Sequence, residues 1–114
     1  MNFLIMFRPT EPPDRPDSPA VTHADSRSAV ITWITPYSGN SGISSYHLEY
    51  KTIDKSWETV HKTVQTIAGT DNSFTITGLK PITTYDIRIR GENKLGFSPY
   101  SQTLQFNTIE EGLH

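Results

Sequence analysis

Gly78-Leu79-Lys80-Pro81-Ile82-Thr83-Thr84-Tyr85-Asp86-Ile87-Arg88-Ile89-Arg90 decides how the rest of the chain is read. From Tyr85 onward, alternate positions hold Tyr, Ile and Ile, and the positions between them hold Asp, Arg and Arg. Successive strand side chains point to opposite sides, so this segment is a strand with one buried and one charged face. Gly78 breaks the alternating run Phe74-Thr75-Ile76-Thr77 before it, and Leu79-Lys80-Pro81 turns the chain into the new strand.

The same period of two extends in both directions. Ala29, Ile31 and Trp33 share one face of a strand that Pro36 stops. After the turn cluster Tyr37-Ser38-Gly39-Asn40-Ser41-Gly42, Tyr46, Leu48 and Tyr50 alternate with His47, Glu49 and Lys51. Weaker signals place a strand on Trp57, Thr59 and Val60 and another on 64–67, ending at Ala68-Gly69. Residues 91–99 read as a loop, after which Leu104 and Phe106 alternate with Thr103, Gln105 and Asn107. About seven short strands with turn signals between them, and no 3.6-residue period, predict an all-β sandwich.

Composition agrees and excludes other classes. The chain's 114 residues suit one domain, with 34% apolar, 11% aromatic and 19% charged residues. Ten Lys and Arg against twelve Asp and Glu leave a net charge of −2, so a nucleic-acid partner is not expected. No apolar run reaches the roughly 18 residues that would suggest a membrane span, so direct membrane insertion is not expected either. Absence of cysteine removes thiolate chemistry, cysteine metal sites and disulfides.

Phe3-Leu4-Ile5-Met6-Phe7 is too short for a secretory segment, and it lacks a basic flank and a cleavage site. Five of the eight prolines lie between Pro9 and Pro19. This favours an extended, semi-rigid lead-in, so residues 1–16 are expected to be disordered or linker, 17–108 the folded domain, and 109–114 a second linker.

In order and spacing, several of these residues resemble the fibronectin type III family: Trp33, the strand Tyr46-His47-Leu48-Glu49-Tyr50, the corner Leu79-Lys80-Pro81-Ile82-Thr83-Thr84-Tyr85, and Asn93 with Gly96-Phe97-Ser98-Pro99-Tyr100-Ser101. Gly91 departs from the alanine common there. The resemblance implies a seven-stranded immunoglobulin-like β-sandwich in which Trp33, Tyr50, Leu79, Pro81 and Tyr85 are structural. Tyr85 is expected to brace a tyrosine corner, with its ring in the core and its hydroxyl on backbone a few residues upstream.

No chemical motif competes with this reading. His23, His47, His61 and His114 are scattered, and H-E-x-x-H, G-x-S-x-G and Gly-rich phosphate loops are missing, so no enzyme, cofactor or metal is expected. His47 and Glu49 share a strand face but supply only two of the three or four ligands a metal needs. Arg90-Gly91-Glu92 is similar to the Arg-Gly-Asp triplet of integrin-binding relatives. It has a longer acid and lies at a strand end, which argues against integrin recognition. Phe97-Ser98-Pro99-Tyr100-Ser101 has the spacing of the cytokine-receptor W-S-x-W-S box, so Phe97 and Tyr100 are expected to stack on Arg88 and Arg90. The rest of the face with Ser45, His47, Glu49, Lys51 and Asp86 is expected to be solvated.

Recognition is therefore assigned to loops at one end of the sandwich, 37–41 and 93–99, with Tyr37, Asn40, Leu95, Phe97 and Pro99 as candidate contacts. The family implies a repeat from a tandem array, a non-enzymatic interaction and spacer module of a cell-surface adhesion molecule or receptor. It is expected to be monomeric alone, to lie outside the cell, and to have a protein partner and neighbouring domains. An intracellular muscle or cytoskeletal array is the alternative. No N-x-Ser/Thr acceptor occurs to mark the compartment.

Overall fold

The structure, a computed structural model, describes residues 9–58 and 64–112. Among them are eight strands: β1 (Asp17–Ala24), β2 (Ala29–Ile34), β3 (Ser45–Thr52), β4 (Val64–Ala68), β5 (Ser73–Ile76), β6 (Thr84–Asn93), β7 (Gly96–Phe97) and β8 (Leu104–Asn107). They form a three-stranded sheet, β1-β2-β5, and a five-stranded sheet, β4-β3-β6 followed by β7 and β8, both along β6. Every pairing is antiparallel. This is the expected sandwich with one strand added. The two-residue β7 pairs Glu92 with Phe97 and Asn93 with Gly96, inside the stretch read from sequence as loop.

The core lies between the sheets, where the inward sets of the alternating strands meet. Ala29, Ile31 and Trp33 of β2 face Tyr46 and Leu48 of β3 and Ile87 and Ile89 of β6, all buried. Trp33 and Tyr46 meet edge to face, with ring centroids 5.0 Å apart, an arrangement that suits the charge distribution of aromatic rings. Below them Tyr85 stacks on Phe106 with centroids 5.6 Å apart, and its hydroxyl accepts a 2.9 Å bond from the Lys80 N–H. Gly91 lies opposite Tyr46 in the sheet. A Cβ there would touch the Tyr46 ring at 3.4 Å, an ordinary contact, so sterics do not demand glycine.

Three expectations change. The lead-in is not a free linker throughout: Glu11 N–H bonds to the Gly39 carbonyl at 2.9 Å and Asp14 N–H to the Tyr37 carbonyl at 3.0 Å. Pro13 and Pro16 are buried, so the docked chain begins before residue 17. Proline's fixed backbone makes this docking cheap in entropy. At the other end Thr108 is buried, Ile109 N–H bonds to the Asp25 carbonyl and Glu111 pairs with Arg27, so the expected linker from 109 is held through Glu111. Finally, Trp57 lies in a turn after β3 and not on a strand; Thr59, Val60, His61, His114 and Met1–Phe7 lie outside the described residues.

Trp33→Ala is expected to destabilise the domain by about 3–5 kcal/mol, because it empties the centre of a small core. Urea unfolding followed by tyrosine fluorescence checks this, and a loss under about 1 kcal/mol would contradict the packing described.

Candidate interaction site

The outward face of β6 sets the geometry of one side of the domain. Its register places Arg88 opposite Glu49, Asp86 opposite Lys51 and Arg90 opposite His47. Arg88 bonds Glu49 through Nη2 at 2.7 Å and Nε at 2.9 Å, and Lys51 Nζ meets Asp86 at 2.9 Å. Against the expectation of a solvated face, Lys51 keeps only 8% of its surface exposed. The reason is a stack of rings laid over the charges.

The Arg90 guanidinium sits 3.8 Å from the Phe97 ring centre and 4.6 Å from that of Tyr100. Arg88 lies 3.9 Å from Tyr100 and 4.1 Å from Trp57, and Lys51 Nζ stands 4.9 Å from Trp57. At the far end His47 meets Phe97 edge to face at 5.2 Å. Cations and rings thus alternate from Lys51 to Phe97, the rings' negative faces against the charges. Phe97 and Tyr100 stand where the sequence placed them; Trp57 is the member it missed. The available signal was an aromatic five residues beyond the end of a strand that neighbours β6, but that loop's path was not legible.

Ser98 and Ser101 hold the rings in place. The Ser98 Oγ accepts from Gly91 N–H at 2.9 Å and the Ser101 Oγ from Ile89 N–H at 3.0 Å. Their own N–H groups donate to the Gly91 and Ile89 carbonyls at 2.8 and 2.7 Å. Each serine thus satisfies both backbone groups of one β6 residue across the gap between β7 and β8, where an unpaired buried amide would be costly. Burial, then a hydrogen bond to Glu49, pushes the Tyr100 hydroxyl above its ordinary pKa. The Arg-Gly-Glu triplet is engaged internally: Arg90 is stacked between rings, and Glu92 accepts from His47 at 2.9 Å and from Ser45 at 3.2 Å.

The loop end is organised by Asn93, which is 4% exposed. Its Nδ2 donates to the carbonyls of Glu11 at 2.7 Å, Ser38 at 2.8 Å and Ser41 at 3.3 Å, and its Oδ1 accepts from Leu95 N–H at 2.8 Å. One amide therefore ties the lead-in to both candidate loops. Gly39, at φ +79°, must be glycine, since a Cβ would lie 2.0 Å from the Glu11 carbonyl oxygen.

The five candidate contacts fall into three places. Tyr37 and Pro99 line an open cleft of about 760 Å³ with Pro16, Pro19, Pro36 and Leu104. Asn40 is exposed at φ +58°, a left-handed conformation that asparagine tolerates, and Leu95 is 48% exposed at the loop tip. Phe97 turns onto the sheet face and keeps 42% of its surface exposed beside Arg90. Among the described residues no group of three or more His, Cys, Asp or Glu is placed to hold a metal.

Tyr100→Ala removes the ring shared by both arginines, and an exposed cation–π contact contributes about 0.5–1 kcal/mol. A loss of about 1–3 kcal/mol in urea unfolding is expected, with Tyr100→Phe keeping most of it. The Glu92 carboxyl is held below its ordinary value, chiefly by the hydrogen bond from His47. A lowered folded pKa stabilises the fold above the unfolded value of about 4.5, and the gain is lost as pH falls through the folded value. The stability gap between wild type and Glu92→Gln should therefore be open above the unfolded value and close as pH falls through the folded value; a gap that stays open in strong acid would contradict the His47–Glu92 bond.

Comparison with known proteins agrees with this architecture. The family model for the fibronectin type III domain matches residues 14–107. The chain is 34% identical over 101 residues to the cell adhesion molecule Dscam1 of Drosophila melanogaster, covering 89% of this chain and 5% of that protein. It is 35% identical over 107 residues to the cell adhesion molecule DSCAML1 of Homo sapiens, covering 94% of this chain and again 5% of the relative. The chain therefore spans about one twentieth of the length of these relatives. In solved structures it superposes on titin domains with a TM-score of 0.72 at 26% identity, covering 87% of this chain and 33% of that one. For the FN1-FN3 domains of chicken CNTN1 the TM-score is also 0.72, at 22% identity, covering 90% and 31%. With the family model matching most of its length, the chain belongs to the fibronectin type III domain family.

Proposed function

We propose that this domain is a non-enzymatic interaction and spacer module in the extracellular part of a cell-surface adhesion molecule. The observation that carries the reading is its likeness to cell adhesion molecules at 34–35% identity across 89–94% of the chain. The geometry is consistent with it. Stacked rings and ion pairs stiffen one sheet face, while Asn93 fixes two loops and the entering chain into one surface. A rigid scaffold presenting loops lowers the ordering cost of recognition. Tyr37, Asn40, Leu95 and Pro99 are the contacts offered to a protein partner, with Phe97 at the edge of that surface.

An antibody against the domain, applied to cells expressing the parent chain before and after permeabilisation, tests the location. Staining of intact cells is expected; staining only after permeabilisation would sink the adhesion reading in favour of an intracellular array. On intact cells, replacing Tyr37 and Leu95 by alanine is expected to reduce cell–cell binding at least tenfold while the domain stays folded. Unchanged binding would make the domain a spacer only.

A further inference from the structure

We propose that the Arg90 guanidinium, at the Phe97 end of the ring and cation stack, is a docking point for a carboxylate: an aspartate or glutamate side chain of the protein partner seats there. The inference rests on reading the domain as an interaction module and extends its surface from the loops onto the sheet face. Among the described residues of that face, Arg90 is the charge that the fold leaves without a counter-ion. Asp86 meets Lys51 at 2.9 Å, Arg88 meets Glu49 at 2.7 Å and Glu92 meets His47 at 2.9 Å. Arg90 stands opposite His47, whose Nε2 is already engaged with Glu92 and Ser45. No described carboxylate pairs with Arg90, and its Nε is buried with no hydrogen-bond partner. A guanidinium partly withdrawn from water and given no acceptor is costly, and here only the rings offset that cost.

The rings fix the guanidinium without using its donors. Phe97 and Tyr100 lie 3.8 and 4.6 Å from it, and a stacked ring covers a face of the guanidinium plane. The N–H donors point outward within that plane, in a fork that matches the two oxygens of a carboxylate. Stacking therefore pre-organises the fork, which lowers the ordering cost of a charge-assisted pair. The approach is open. Arg90 is half-buried and Phe97 beside it is 42% exposed. On the other side of β3, Thr66 and Ala68 of β4 stand opposite His47 and Ser45, and both are small and exposed. An acidic side chain entering over them reaches Arg90 with the Phe97 ring as an apolar neighbour.

The neighbouring charges decide what kind of anion fits. A sulfated glycan is held by several free cations in a row, but Arg88 and Lys51 are already neutralised by Glu49 and Asp86. A polyanion laid along this face would meet those carboxylates and Glu92, on a chain whose net charge is −2. One unpaired guanidinium among paired neighbours suits a single carboxylate carried by a protein, and complementary charge of this kind sets register and suppresses wrong partners.

Sodium acetate titrated into the 114-residue chain at fixed pH and ionic strength, followed by NMR, tests the site without reference to adhesion. The side-chain N–H signals of Arg90 and the ring signals of Phe97 are expected to move together. Arg88, whose donors Glu49 already holds, is the internal control and should not move. Equal movement at both arginines, or none at Arg90, overturns the site. In the parent chain on cells, Arg90→Gln is expected to lower cell–cell binding at least about tenfold. Arg90→Lys keeps a cation over the rings, so it is expected to stay folded and to recover only part of that binding. Binding undiminished by either variant overturns the docking while leaving the contacts at Tyr37 and Leu95 intact. Staining only inside cells would end the adhesion reading and this docking with it, and the acetate result separates that failure from failure of the site. A heparin hexasaccharide that moves the Arg88 and Lys51 signals together with Arg90 assigns the face to sulfated glycan. Self-association of the chain, lost in Arg90→Gln, assigns it to a second copy; either result overturns the proposal.

Discussion

Strand β6 alternates inward and outward for ten residues without a break, and the rest of the molecule hangs from that alternation. Its inward set, Tyr85, Ile87 and Ile89, completes the core against β2 and β3. Of its outward set, Asp86, Arg88 and Glu92 find partners directly or diagonally across on β3, and Arg90 stacks on Phe97 and Tyr100. A shift of one residue would put two guanidinium groups between the sheets and three core side chains in water, so this register is the most strongly specified in the fold.

The two faces of β6 are stabilised by different physics. Inside, buried area and ring packing dominate, and one tryptophan stands at the centre. Outside, exposed ion pairs would contribute little one at a time. Here Trp57, Tyr100 and Phe97 lower their exposure and occupy the guanidinium faces that carboxylates leave open. The serines that satisfy β6 across the gap between β7 and β8 make this possible, because they let the chain leave the sheet edge and bring Tyr100 back over the arginines.

The poles differ in how they treat the chain. Where it enters, Asn93 and Gly39 accept the lead-in and make it part of the loop surface. Where it leaves, Thr108, Ile109 and Glu111 keep it against the domain. Entry and exit are thus fixed relative to the core.

The sequence by itself determined the class of fold, the inward residues and the arginine–aromatic stack. Each depends on local alternation or fixed spacing along one strand: Ala29, Ile31 and Trp33; Tyr85, Ile87 and Ile89; Arg88 and Arg90 before Phe97 and Tyr100. Only the tertiary structure decided how distant segments close on one another. Trp57 reaches Arg88 through a loop whose path no periodicity encodes. Asn93 collects carbonyls from Glu11, Ser38 and Ser41, more than fifty residues away in sequence. The docked lead-in was invisible for the same reason. A proline-rich segment reads as linker from its own residues, and what holds it is a glycine and an asparagine that the fold brings beneath it.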